Sequence, residues 1–132
     1  MKKIIFVFVS MLCVLTSCNL ADDDGVWDPM ELRASTEMDA SRNIKVPSTG
    51  ATIQVTCTNY QTFWMESVLE NGNKISQKKL DELSGSWFKL KIKGNMLTAE
   101  IYPNNSGKAR RLDVGISAGD IFDGVKFYQE SN

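Results

Sequence analysis

Histidine is absent from the 132 residues, which removes the commonest general base and the commonest metal ligand together. Ser–His–Asp and Cys–His nucleophilic sets are excluded with it. Cysteine is scarce: Cys13, Cys18 and Cys57 are too few and too scattered for a zinc site or a disulfide framework. The nine glycines stand singly, so no phosphate-cradling loop is present. A basic excess is also missing; the net charge is −1, and nucleic acid is not an expected partner. Glycoside hydrolysis needs two carboxyl groups facing each other across a cleft. The strand carboxylates Glu66, Glu100 and Asp113 are expected to face solvent instead. Asp120 and Asp123 bracket a turn and offer too few oxygens for calcium, which takes about 6–8. The expectation is a protein that is not an enzyme, with no metal and no cofactor.

What is present begins with a long apolar run. Lys2 and Lys3 precede an apolar stretch from Ile4 to Val14, broken only by Ser10. It is too short for the ~20 residues of a membrane-spanning helix, and its layout is that of an export signal. Leu15-Thr16-Ser17-Cys18 resembles the lipobox of bacterial lipoproteins. That resemblance implies cleavage before Cys18 and lipid attachment to it, leaving 1–17 as signal peptide. Acyl chains on Cys18 would hold the protein on a membrane without spanning it, each buried methylene adding ~0.8 kcal/mol.

The near-neutral total hides an asymmetry. Residues 18–41 hold seven acidic side chains against Arg33 alone, a net of −6. Residues 42–132 hold twelve basic and nine acidic side chains, a net of +3. The first segment shows no sustained period and reads as a disordered acidic tether over 18–41. Asp22-Asp23-Asp24 resembles the acidic export signal of surface lipoproteins in the Bacteroidetes. The implied location is the outer membrane, facing the cell surface.

From residue 42 onward the sequence reads as strands. Ile53, Val55 and Cys57 alternate with polar residues, as do Phe88, Leu90 and Ile92, then Leu97, Ala99 and Ile101, then Leu112, Val114 and Ile116, then Val125 and Phe127. Pro47-Ser48-Thr49-Gly50, Glu70-Asn71-Gly72-Asn73 and Pro103 to Gly107 are turn sequences. The connection from Asn71 to Gly85 reads as loop or one or two helical turns. About seven strands at even spacing predict an antiparallel β-sandwich over 42–132. Cys57 belongs to the core face as a small buried hydrophobe.

Gly94-Asn95 suits a two-residue type II′ hairpin, glycine first. That turn sets Lys93 opposite Met96, Ile92 opposite Leu97, Leu90 opposite Ala99 and Phe88 opposite Ile101, matching every core residue to another. The same register sets Lys89 opposite Glu100 and Trp87 opposite Tyr102 on the outer face; a slip of one residue would destroy both sets.

Ile44-Lys45-Val46-Pro47-Ser48-Thr49-Gly50, Ile53-Gln54-Val55, Asn59 and Trp64 follow one another in an order similar to the BACON domain. Ser86-Trp87-Phe88-Lys89-Leu90, Asn104-Asn105-Ser106-Gly107 before Arg110-Arg111, and Val125-Lys126-Phe127-Tyr128-Gln129 continue the resemblance, which spans about 36–130. The family is the Bacteroidetes-associated carbohydrate-binding, often N-terminal domain. It implies an immunoglobulin-like sandwich on an exported protein, with a proposed role in carbohydrate binding. The lysine-rich 71–85 connection departs from its pattern.

Two functions are expected to compete. The first is glycan binding, with Trp87 and Tyr102 as a stacking platform, Lys89 and Glu100 beside them, and Trp64 as a further candidate; sugar recognition wants aromatic faces next to polar groups. The second is an assembly module docking on a larger outer-membrane or surface protein, whose signature would be an open edge strand or a large apolar patch. The expected partners are therefore the membrane, through the lipid anchor, and a polysaccharide or another envelope protein.

Overall fold

The computed structural model describes residues 27–132. The signal peptide, Cys18, Asp22, Asp23 and Asp24 lie outside the described residues. Ten strands run in chain order: β1 Leu32–Ala34, β2 Asn43–Val46, β3 Ala51–Cys57, β4 Trp64–Glu70, β5 Asn73–Lys74, β6 Glu82–Ser84, β7 Phe88–Lys93, β8 Met96–Ile101, β9 Arg110–Ala118 and β10 Ile121–Gln129. They form two five-stranded sheets, ordered β1-β3-β8-β7-β6 and β2-β10-β9-β4-β5. With β1, β3, β8 and β7 as A, B, E and D, and β4, β9 and β10 as C, F and G, this is the strand arrangement of the immunoglobulin fold. The protein is an immunoglobulin-like β-sandwich.

Alternation decides which side chains meet. The expected inward residues of β3, β7, β8, β9 and β10 are all buried, and their two inner faces pack into one core with Ile44, Met65 and Val68. Phe88 and Phe127 are the largest side chains fully enclosed there. Fully burying such a side chain contributes about 1.5–3 kcal/mol. Cys57 sits on this face without exposure, and its thiol donates to Asn59 Oδ1 at 3.3 Å.

The β7–β8 register is the one read from the turn, from Lys93 opposite Met96 to Phe88 opposite Ile101. Gly94 has φ of 61°, whereas Asn95 is not among the positive-φ residues, as a type II′ turn requires. Asn71 and Gly72 both have positive φ, 50° and 84°, and close β4 onto β5 as a type I′ hairpin.

Three expectations need correction. The sandwich starts before residue 42: Met30 and Leu32 are buried, and β1 pairs antiparallel with β3. Its alternating run, Met30-Glu31-Leu32-Arg33-Ala34, is short and acidic in its surroundings, which hid it inside the supposed tether. The sheets are also not wholly antiparallel, because β2 runs parallel to β10. The chain leaves one sheet after β1 and joins the other at β2; Asp39 shapes the crossing by accepting the amides of Ser41 and Asn43 at 2.9 Å each. Those bonds, the Asn43 amide first, hold the Asp39 carboxyl below its ordinary range. Finally, the 71–85 connection contains no helix; it is the two short strands β5 and β6 joined by a loop.

Candidate functional site

The expected platform is only half present. Lys89 and Glu100 are exposed and paired across β7 and β8, and Tyr102 is 38% exposed. Trp87 is only 6% exposed. Its carbonyl still accepts the Tyr102 amide at 2.9 Å, so the backbone register continues through it. Its side chain does not follow, because Gly85 donates to the Phe88 carbonyl at 2.9 Å and closes a tight turn in which strand alternation no longer holds.

The indole instead plugs one end of the sandwich. It stands edge-on to Phe88, with ring centroids 5.2 Å apart, and lies under the Arg110 guanidinium at 4.3 Å. Its Nε1–H donates to the Glu70 carboxylate. Arg110 also donates to Gln129 Oε1 at 2.8 Å and to the Tyr102 carbonyl at 3.0 Å. Gln129 is buried and donates to the carbonyls of Pro47 and Tyr102 at 2.9 Å each. Removal from water lowers the Arg110 pKa, with Glu70 acting in the opposite sense. Trp87 is therefore a structural residue with no face open to a ligand.

Trp64 does have one. It is 38% exposed and points away from the core, while the next residue, Met65, is fully buried. The β4–β9 register shifts between Met65 and Ser67, so Glu66 forms a bulge and Val68 rather than Ser67 turns inward. Because of that irregularity, simple alternation along Phe63 to Leu69 does not show which face of the strand is the core.

Trp64 helps to line a pocket of about 420 Å³ at the pole opposite Trp87. Its walls come from three separate stretches of chain: Trp27; Tyr60 with Gln61 and Thr62; and the β9–β10 turn with Asp120. The stretch carrying Trp27 is pinned in place. Tyr60 Oη donates to the Asp28 carbonyl at 2.5 Å, and Asn59 Nδ2 donates to the Pro29 carbonyl at 2.8 Å. Burial raises the Tyr60 pKa, and the Asp28 charge adds to the shift, so the phenol stays protonated as a donor. Ser117 Oγ donates to the Gly119 carbonyl at 2.7 Å and fixes the turn that presents Asp120.

Trp27, Tyr60 and Trp64 line the pocket together with the polar residues Gln61, Thr62 and Asp120, and its volume lies in the ~300–1,000 Å³ range of small-molecule sites. A larger groove of about 920 Å³ borders β2 and the end of β10. Its one exposed aromatic is Tyr128, whose ring has the Arg111 guanidinium 5.8 Å from its centroid. No group of three acidic or cysteine side chains suited to a metal ion occurs among the described residues.

Solved structures place the chain among known folds. A protein from Bacteroides thetaiotaomicron, determined by NMR, matches with a TM-score of 0.75 and 32% sequence identity, covering 83% of this chain and 93% of that one. The chain belongs to the family of that Bacteroides thetaiotaomicron protein. Titin domain M4 matches with a TM-score of 0.47 at 12% identity over 81% of this chain and 100% of that one. Titin domain M7 gives 0.46 at 13% over 81% and 99%. No protein-family model and no curated protein matches the sequence.

Proposed function

We propose that the protein is a surface-anchored bacterial lipoprotein whose sandwich binds saccharides without transforming them, through the pocket formed by Trp27, Tyr60 and Trp64. One observation carries this reading: three aromatic side chains converge on one cleft beside Gln61, Thr62 and Asp120. Aromatic faces accept the apolar C–H side of a sugar ring, and the adjacent amide, hydroxyl and carboxylate can exchange hydrogen bonds with its hydroxyls. The resemblance to BACON domains supports the same ligand class. The lipobox-like Leu15 to Cys18 and the Asp22-Asp23-Asp24 run support lipid attachment and surface display.

The competing assembly reading expects an open edge for strand addition or a large apolar patch. The four edges are β1, β6, β2 and β5, of only two to four residues each, and such short edges resist added strands.

A glycan array carrying plant, host and bacterial saccharides tests the binding site. Trp64→Ala and Trp27→Ala should each weaken the strongest interaction roughly tenfold, equivalent to about 1.4 kcal/mol. Both side chains are exposed, so folding should survive both changes. A wild-type protein that captures no glycan, or variants that capture it equally well, would remove the proposal. The anchor has its own test: a fatty-acid analogue should label the wild-type chain in cells and leave Cys18→Ala unlabelled. Persistent labelling of that variant would place the lipid elsewhere.

A further inference from the structure

The pocket shares its pole with an unusual share of the protein's exposed apolar surface. Phe122 is 61% exposed and Leu80 is 57% exposed. Phe122 on β10 and Trp64 on β4 flank the same residue of β9, Ser117. Leu80 lies on the other side of β4, its carbonyl accepting the Met65 amide at 2.8 Å. Trp64 and Phe122 thus form an apolar strip on the outer face, two strand spacings or roughly 10 Å across, with the exposed Leu80 beyond the far side of β4. Ser117, between Trp64 and Phe122, is 2% exposed although it belongs to the outer face of its sheet. A water-soluble sugar does not need such a strip beside its pocket, whereas an amphiphile with an apolar part does.

The distance to the anchor points the same way. Trp27, one wall of the pocket, follows Cys18 by nine residues. At full extension nine residues span roughly 30 Å, comparable with the thickness of a bilayer's hydrocarbon core. A lipid on Cys18 therefore keeps this pole close to the membrane that holds the protein.

Resting on the saccharide reading above, we infer that the pocket takes the sugar headgroup of a glycolipid in that same membrane, with Leu80 and Phe122 against the apolar boundary beside it. The lipid anchor makes the encounter intramolecular in effect, so modest affinity suffices for occupancy.

Tryptophan quenching tests this on the mature lipidated chain in vesicles of phosphatidylethanolamine and phosphatidylglycerol, made with or without rough lipopolysaccharide. Trp27 and Trp64 are open to iodide, whereas Trp87 is buried and provides a constant background. Lipopolysaccharide in the vesicle should abolish most of the iodide quenching. The oligosaccharide released from that lipopolysaccharide serves as the soluble control, added to vesicles without glycolipid. Leu80→Ser with Phe122→Ser, both outside the pocket lining, should lose shielding by the glycolipid and keep any shielding by the free oligosaccharide. Shielding by the oligosaccharide but not by glycolipid vesicles overturns the membrane source and leaves the saccharide reading standing. Equal shielding on vesicles without lipopolysaccharide overturns the headgroup assignment, because bare phospholipid would then cover the pole. No shielding in any arm overturns both.

Discussion

Trp87→Ala should cost the fold about 3–5 kcal/mol, the range for removing a large buried aromatic. The indole fills one end of the sandwich against Phe88, receives the Arg110 cation on its face and satisfies Glu70 through its N–H. Truncation leaves a cavity and strips a half-buried carboxylate and guanidinium of their shared partner. Against a total stability of roughly 5–15 kcal/mol, that loss is large. Trp87→Phe separates the contributions: it keeps most of the apolar area and deletes the hydrogen bond to a charged acceptor, so about 1.5–3 kcal/mol should go. Denaturant titration of the three proteins gives both numbers. A loss below about 1 kcal/mol for the alanine variant would mean that the end of the sandwich can close without the indole.

Gly50→Ala is the second large effect. Gly50 ends the turn that begins at Pro47, donating to its carbonyl at 2.9 Å, with φ of 89°. A Cβ there would lie 2.6 Å from the Ile101 carbonyl oxygen and 3.0 Å from the Pro103 nitrogen. Both are backbone atoms, one at the paired end of β8 and one just beyond it, so neither can swing aside as a flexible side chain would. The left-handed conformation alone costs a residue with a Cβ roughly 1–2 kcal/mol, and the collision adds to it. Gly107→Ala is the matched control: φ is 80°, but nothing lies within 4 Å of the added methyl. Thermal or denaturant unfolding should show the Gly50 variant clearly less stable than the Gly107 variant. Equal losses would show that the collision at Ile101 relaxes at no cost.

Strand positions were legible because period-two patterning and turn chemistry act locally. The Gly94-Asn95 turn sets the β7–β8 pairing, and each core residue in it meets another, so one local feature fixed a whole hairpin. The same logic failed one residue beyond the strand, at Trp87. Backbone pairing with Tyr102 persists there, yet the side chain answers to Glu70 and Arg110 on the opposite sheet, which no local pattern encodes. β1 was hidden for a related reason: its alternation is brief, and only its pairing with β3 makes it a strand.

The candidate site was legible only at Trp64, and there only as an aromatic of uncertain face. The Glu66 bulge decides the facing, and a bulge is set by the partner strand. Trp27 and Tyr60 carried no signal at all, since the pocket exists only once residues near 27, 60–64 and 118–120 converge. Trp27 also lies within the stretch whose acidity marked it as tether.

Heteronuclear NMR on the full chain, titrated with a saccharide captured on the array, tests the binding site most directly. The three indole N–H signals report on two possible locations, Trp27 and Trp64 on the pocket and Trp87 on the surface around Lys89, Glu100 and Tyr102. The account predicts shifts in the Trp27 and Trp64 indoles and in the amides of 61–64 and 118–120, with the Trp87 indole unmoved. Shifts confined to Lys89, Glu100, Tyr102 and the Trp87 indole, with the pocket amides silent, would contradict it.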